Sequence, residues 1–97
     1  MYTVIGFYKF KRIKSLKRQK SFFLDRIIKN KVRGTIIISS EGINGTISGL
    51  KKDVNLILKL LKKRFKFKKF DSQNISQNSF QPFHKGKIKI KKEVVPI

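Results

Sequence analysis

The sequence predicts a small α+β domain in which two amphipathic helices cover one face of an antiparallel β-sheet. Segments rich in β-branched and aromatic residues alternate with two segments whose apolar side chains recur at helical spacing. A chain of 97 residues is long enough for one hydrophobic core and too short for two. We therefore expect residues 1–97 to form a single domain.

The first half of the chain predicts a strand, a helix and a hairpin. Residues 2–10 are rich in β-branched and aromatic side chains, which favours a buried first strand. Ser15 is a candidate N-cap for a first helix that ends near Asn30. The apolar residues of this helix are Leu16, Phe23, Leu24, Ile27 and Ile28. Residues 32–39 and 43–49 predict two strands, and the short turn between them makes the pair antiparallel.

The second half predicts another helix and two further strands. Residues 51–65 have the apolar spacing of an amphipathic helix, and residues 67–71 predict a fourth strand. The polar residues 72–81 predict a loop. In residues 86–93, lysine alternates with isoleucine at the period of a half-exposed strand. This order is the ferredoxin-like βαββαβ sandwich with an extra C-terminal strand, and it leaves one sheet face open.

The composition indicates a partner that carries many negative charges. Twenty-five Lys and Arg residues stand against five Asp and Glu residues, for a formal charge of +20. RNA, DNA and anionic lipid are all polyanions that such a charge attracts. An AT-rich gene, which enriches Lys, Ile, Asn and Phe together, is the alternative explanation, but it does not account for the shortage of acids.

The sequence contains neither cysteine nor a long apolar run. Without Cys it can form no disulfide, no thiolate metal site and no Cys nucleophile. No apolar run approaches the roughly 20 residues of a membrane span, and the start of the chain is apolar before it is basic, unlike a secretory signal. We expect a cytoplasmic protein with no membrane partner.

Few residues offer catalytic or metal-binding chemistry. His84 is the only histidine, and it has no second His or carboxylate at ligand spacing, so we expect an ordinary loop residue. The most unusual run, Ser39–Thr46, contains two Gly and one Asn. A tight hairpin with a bulge is one explanation, and a loop that holds a phosphate or contacts a neighbouring domain is the other. The sequence predicts no catalytic residue, no metal ligand and no cofactor.

The run Glu41-Gly42-Ile43-Asn44-Gly45-Thr46 also carries a resemblance to a known family. Together with the apolar strand before it, Pro82-Phe83 and the Lys-rich end from Lys91 to Val95, it resembles the N-terminal domain of the rhodanese-related tRNA uridine hydroxylases. The resemblance covers essentially the whole chain. It implies an acylphosphatase-like domain of an enzyme that uses dioxygen to hydroxylate the wobble uridine of tRNA.

The same resemblance implies that the catalytic Cys belongs to a rhodanese domain that is absent from this chain. Activity then belongs to a longer parent protein or to a partner, and this chain is its tRNA-facing or domain-positioning module. A standalone basic RNA-binding or protein-interaction module is the alternative. We do not expect acylphosphatase activity, because residues 11–14 hold no Gly for the phosphate loop of such enzymes.

Lysines of the last strand are the strongest candidates for RNA contacts. Ile88 and Ile90 are expected to point to the helices. This places three lysines together on the open face, where they repel one another until a polyanion neutralises them: Lys87, Lys89 and Lys91. A solvated edge strand that uses lysine against aggregation is the alternative. Three further candidates at the end of the first strand are Lys9, Lys11 and Arg12.

Overall fold

The computed structural model describes residues 1–93, which form one five-stranded sheet and two helices. In chain order the elements are β1 (Tyr2–Phe10), α1 (Leu16–Lys29), β2 (Arg33–Ser39), β3 (Gly42–Gly49), α2 (Lys51–Phe65), β4 (Ser72–Asn78) and β5 (Gly86–Ile90). The last residues of the family resemblance, Val94 and Val95, lie outside the described part of the chain. No helix in residues 1–93 is long and apolar enough to cross a membrane.

The strands lie side by side in the order β4-β1-β3-β2-β5. β3 is antiparallel to β1 and β2, and β4 is antiparallel to β1. β5 pairs parallel with β2, because the segment after β4 crosses from one sheet edge to the other before β5 begins. The predicted ferredoxin-like plan with an added C-terminal strand is confirmed, but the parallel β5 makes the sheet mixed rather than wholly antiparallel.

The hydrophobic core lies between the two helices and one face of the sheet. The sheet contributes seven buried side chains: Ile5, Phe7, Ile36, Ile38, Ile43, Ile47 and Ile88. The helices contribute Phe23, Ile27, Val54, Ile57, Leu58, Leu61 and Phe65. Because side chains alternate along a strand, the residues between these positions face the other side of the sheet, which we call the open face. The predicted apolar side of α2 matches this core. On α1, Phe23 and Ile27 are buried and Leu16 and Leu24 pack against the core, but Ile28 is 62% exposed, so its placement on the apolar side is wrong.

β4 occupies the polar segment that the sequence predicts as a loop. Ser72–Asn78 pairs with β1 along its whole length, in the register Gly6↔Asn74. The predicted fourth strand at residues 67–71 is wrong, because Phe67 and Phe70 turn back and pack against the core instead. β4 is an edge strand with little buried surface, so it forms through backbone hydrogen bonds to β1 and carries no alternating apolar pattern.

α1 begins at Leu16, directly after Ser15 as predicted, but without the expected capping hydrogen bond. Ser15 has left-handed backbone angles (φ 55°, ψ 53°), and its side chain makes no capping hydrogen bond. The side chain of Gln19 instead donates a hydrogen bond to the carbonyl oxygen of Lys14 at 3.2 Å. The first turn contains Lys17 and Arg18 and no acid. Ser15 is therefore the N-cap residue, as predicted, but it lacks the expected side-chain cap, and the positive end of the helix dipole meets further positive charge.

The segment between β4 and β5 covers one end of the open face. The Gln81 side-chain amide donates to the Ser48 carbonyl at 3.2 Å, and the Arg33 guanidinium donates to the Phe83 carbonyl at 3.3 Å. Ser48 points to the open face and is nevertheless fully buried. This segment therefore covers part of the open face at the end where β1 begins.

Candidate nucleic-acid interface

The motif Glu41–Thr46 lies mostly in the central strand and not in a loop. Only Glu41 belongs to the turn, and Gly42–Thr46 is the first part of β3, paired with β1 on one side and β2 on the other. Its backbone N–H groups therefore belong to the sheet and are not arranged as a phosphate-binding loop. Ile43 is buried under the helices, whereas Asn44 and Thr46 project onto the open face.

Two glycines of the motif are required by close packing. Gly42 has φ +153°, and a Cβ atom there would lie 2.0 Å from the Lys9 carbonyl oxygen. A Cβ atom at Gly45 would lie 2.7 Å from the Thr35 carbonyl oxygen and 3.0 Å from the Phe7 ring. The backbone at Gly45 needs no positive φ, so the reason for glycine there is contact with the neighbouring strand and the core.

A shallow depression of about 160 Å³ opens on the open face above Gly6. Its rim is polar except for one aromatic ring. The side chains around it belong to Tyr8, Asn44, Thr46, Ser72 and Asn74. Gly6 pairs with Thr46 on β3 and with Asn74 on β4, while Tyr8 pairs with Asn44 and Ser72 in the next row. The depression exists because Gly6 has no side chain, whereas its cross-strand partners Thr46 and Asn74 both have one.

The three predicted lysines of the last strand all lie at the β5 edge and are exposed. Lys87 and Lys89 lie in β5 opposite Thr35 and Ile37 of β2, on the open face. Lys91 follows the end of β5, where its N–H donates to the Ile38 carbonyl at 3.0 Å. The predicted strand to residue 93 is therefore too long by three residues, and Lys91 extends the lysine row beyond the ladder.

The isoleucines of β5 follow the predicted direction only in part. Ile88 is 4% exposed and belongs to the core. Ile90 lies beside Leu16 and Lys17 at the start of α1, but it is 38% exposed. Its partial exposure follows from its position at the last residue of the strand, where α1 has only begun to cover the sheet.

The three candidates at the end of β1 do not form one cluster. Lys9 has the same orientation as Ile5 and Phe7, toward the helices, and its Nζ atom lies 3.4 Å from Asp71 Oδ1 and 5.4 Å from the centre of the Phe67 ring. Lys11 and Arg12 follow β1, and Arg12 is exposed. They lie at the sheet end where β5 also finishes, with Lys91. The structure therefore brings Lys11, Arg12 and Lys91 to one end of the sheet and separates Lys9 from them.

The segment between β1 and α1 does not have the form of a phosphate-binding loop. The N–H of Lys11 donates to the Glu41 carbonyl at 2.9 Å, and the N–H of Ile13 donates to the Ser40 carbonyl at 3.1 Å. Ile13 is itself buried. Because these two N–H groups are already used within the domain, they are unavailable for a phosphate.

A second basic cluster lies on the helices and was missed by the sequence analysis. The guanidinium carbon atoms of Arg26 and Arg64 lie 3.8 and 3.6 Å from the centre of the Phe22 ring. Burial, with Arg26 and Arg18 nearby, lowers the pKa of Arg64 from its usual value. Arg18, Phe22 and Arg26 are four residues apart on α1, so their shared side was visible in the sequence. The approach of Arg64 from α2 was not, because it depends on helix packing.

No group of three or more His, Cys, Asp and Glu side chains in residues 1–93 has an arrangement that could hold a metal ion. His84 is exposed in the segment before β5.

Comparison with known proteins decides the family. The family model described as the UPF0176 acylphosphatase-like domain matches residues 2–94. This chain belongs to that family. A curated relative from Pelagibacter ubique (strain HTCC1062), named tRNA uridine(34) hydroxylase, is 57% identical over 97 residues. The match covers the whole of this chain and 32% of the relative, so this UPF0176 domain spans about a third of that protein. The resemblance found in the sequence is confirmed.

Solved structures confirm the fold of the UPF0176 domain. Acylphosphatase from Bacillus subtilis superposes with a TM-score of 0.60 at 16% identity, over 91% of this chain and 98% of the enzyme. An acylphosphatase from Coxiella burnetii superposes with a TM-score of 0.63 at 8% identity, over 93% of each chain. At these identities the likeness concerns the fold and not the chemistry.

Proposed function

We propose that this chain is the tRNA-facing module of an oxygen-dependent tRNA wobble-uridine hydroxylase that acts in the cytoplasm. The name of the curated relative supports the reaction, and the chain's coverage of only 32% of that relative supports a modular role. In this proposal residues 1–97 form one domain. The rhodanese domain with the reactive cysteine belongs to the rest of a parent protein or to a partner in trans.

The observation that carries the proposal is the excess of unpaired positive charge on the surface. Within residues 1–93, ion pairs engage only Lys9, Arg26 and Lys29, and they use the carboxylates of Asp25 and Asp71. The chain has 25 cationic side chains in all. Intramolecular pairing therefore leaves most of the charge unneutralised, and a polyanion such as tRNA is the partner that relieves the repulsion.

The proposed contact surface combines the β5 edge with the end of the sheet. Lys87, Lys89 and Lys91 form its row along β5, and Lys11 and Arg12 flank the same sheet end. Each neutralised phosphate releases counterions, so about five such contacts should give a slope of log affinity against log salt of roughly −3.5 to −4.5. We infer that this surface binds the tRNA backbone and carries little sequence preference by itself.

The test compares two triple variants of equal charge. Replacing Lys87, Lys89 and Lys91 together by Gln should flatten the salt slope of tRNA binding by about two to three, without lowering the melting temperature. The control replaces three lysines that are equally exposed but lie on α2: Lys52, Lys59 and Lys63. It should leave the slope within about one of the wild-type value. Equal losses in both variants would show diffuse attraction by net charge and would refute this contact surface.

A second candidate function is a module that contacts protein rather than RNA. Large apolar side chains favour it, since Phe10 is 51%, Ile75 63% and Phe80 64% exposed. In that case the wild-type chain binds a rhodanese domain but shows no salt-dependent binding of tRNA. The titration described above therefore separates the two functions.

A further inference from the structure

We propose that the depression above Gly6 binds a single unstacked nucleobase of an RNA strand; this rests on the proposed contact of the domain with tRNA. The site comprises Gly6 at the floor, Tyr8 at one side, and the polar side chains of Thr46, Ser72 and Asn74. The basic residues would hold the backbone of the strand, and the depression would receive one base.

The shape of the site excludes paired bases. The depression has a volume of about 160 Å³ and is bounded across the sheet by Thr46 on β3 and Asn74 on β4. Bases inside a helix are stacked on both sides and paired at one edge, so they cannot enter a recess that lies over β1 between side chains of β3 and β4. A base that is splayed out of a loop presents its free edge and both ring faces, which is the form in which proteins read RNA sequence.

The chemistry of the site suits a base better than a phosphate. None of the side chains around the depression is charged, although 25 Lys and Arg residues occur in the chain. The hydroxyl groups of Thr46 and Ser72 and the amide of Asn74 offer both donors and acceptors, which match the mixed edge of a base. A phosphate accepts hydrogen bonds only and would favour the cationic surface instead.

The ring of Tyr8 provides the apolar part of the recognition. It lies on the open face, and its centre is 5.5 Å from that of the exposed Phe10 ring, which lies farther along the same strand. A base above Gly6 has the edge or face of Tyr8 beside it, and Phe10 extends the aromatic surface toward Lys11 and Arg12. Stacking on an aromatic side chain tolerates any base, so preference between bases depends on the polar rim.

The lysine row on β5 is close enough to the depression for both to bind the same strand of RNA. β1 and β5 are three strand spacings apart in the sheet, or about 14 Å at roughly 4.8 Å per spacing. Lys87 and Lys89 face the same side of the sheet as the depression. One short single strand therefore reaches both the lysine row and the site above Gly6.

The experiment measures binding of a fluorescently labelled tetra-uridylate and, as a charge-only ligand, inorganic polyphosphate. Gly6→Ala fills the floor with one methyl group, whose nearest contacts would be 3.6 Å to Thr46 Oγ1 and 3.9 Å to the Gly45 carbonyl oxygen, so the sheet accepts it. We expect this variant to weaken tetra-uridylate binding about tenfold and to leave polyphosphate binding unchanged. Tyr8→Leu should weaken tetra-uridylate binding by about 5- to 150-fold, the range that loss of one base stack produces.

Thr46→Val gives a third, nearly isosteric change that replaces the hydroxyl group by a methyl group and should also weaken tetra-uridylate binding selectively. Melting curves of all three variants establish that they are folded. If none of the variants changes tetra-uridylate affinity while the salt-dependent binding of tRNA persists, the base site is refuted and the proposed function stands. If the wild-type chain binds neither tetra-uridylate nor tRNA, both proposals are refuted.

Discussion

The carboxylate of Asp71 accepts a hydrogen bond from the backbone N–H of Phe10 at 2.7 Å. This contact ties the end of β1 to the residue that precedes β4, and the N–H of Asp71 returns a hydrogen bond to the Tyr8 carbonyl at 2.9 Å. The Phe10 N–H, with a smaller contribution from Lys9, keeps the pKa of Asp71 below its usual value. One carboxylate thus ties β1 to the start of β4 and also pairs with Lys9, which is one of the predicted RNA contacts.

This contact predicts a specific dependence of stability on pH. Because the folded-state pKa of Asp71 is lowered, its contribution is present above the pKa of an unfolded Asp, about 3.9, and is lost as the pH falls through the folded value. Asp71→Asn should therefore be less stable than the wild-type chain near pH 7, and the difference should shrink toward about pH 2. Urea unfolding at both pH values measures it.

Asp25→Asn is the matched control for that prediction. Asp25 lies on α1 and pairs with Arg26 and Lys29 at 3.2 and 3.4 Å, on the exposed surface. Removing it should change the free energy of unfolding by less than about 1 kcal/mol at either pH. A stability difference for Asp71→Asn that stays the same across the pH range would contradict the role given to its ionised form.

Two glycines on neighbouring strands should respond oppositely to the same added methyl group. Gly45→Ala places Cβ 2.7 Å from the Thr35 carbonyl oxygen, so we expect a loss of about 1–3 kcal/mol in the free energy of unfolding. Gly6→Ala makes only ordinary contacts and should be neutral or stabilising by up to about 1 kcal/mol, since it restricts the unfolded chain. Chemical denaturation measures the free energy of unfolding of both variants. Equal losses would show that the space around each glycine does not determine the effect of the added methyl group.

Lys9 and Arg12 should differ in their effect on tRNA binding, although the sequence places them in one group. Arg12 is exposed and has no ion pair within residues 1–93, so Arg12→Gln should flatten the salt slope by roughly 0.7 to 0.9. Lys9 already pairs with Asp71. Lys9→Gln should therefore leave the slope unchanged and lower the melting temperature slightly. A flatter slope for Lys9→Gln would mean that the pair opens when RNA binds.

Two fully buried serines form a further matched pair. Ser39 Oγ accepts a hydrogen bond from the Glu41 N–H at 3.0 Å in the turn before β3. Ser39→Ala should cost about 0.5–1.5 kcal/mol in the free energy of unfolding, because it removes this bond. Ser48 Oγ has no hydrogen-bond partner among the described residues, so Ser48→Ala should be neutral or stabilising. Thermal and urea unfolding of the two variants test this difference. A larger loss of stability for Ser48→Ala than for Ser39→Ala would contradict the prediction.

The sequence predicted best the elements that are buried on one side. Residues 51–65 have an apolar stripe that identifies α2 with its observed bounds, because a helix packed on a sheet must bury one side and expose the other. The motif at residues 41–46 correctly indicated the family to which this chain belongs. Of the two explanations offered for this run, the hairpin is observed and residues 43–49 form a strand as predicted, while Gly42 and Gly45 allow β3 to pack closely between β1 and β2.

Elements and clusters that depend on distant partners could not be predicted in the same way. Ser72–Asn78 carries no strand pattern and becomes β4 only because β1 offers an unpaired edge. Nothing in the sequence indicated that Lys9 is paired, because Asp71 lies beside it only in the folded chain. Arg64 joins Arg26 at Phe22 only when α1 and α2 lie side by side.

By itself, the sequence determined the ferredoxin-like plan, the excess of positive charge and the family, because periodicity, composition and a contiguous motif are all properties of the chain. The tertiary structure alone decided which lysines remain unpaired, that β5 enters the sheet parallel to β2, and that Gly6, Tyr8, Thr46 and Asn74 surround one depression. These features depend on strand register, which brings together residues up to 76 positions apart, as in the pair Tyr2↔Asn78. Local sequence carries little information about such pairings, since their free energy comes from contacts that exist only after the strands have met.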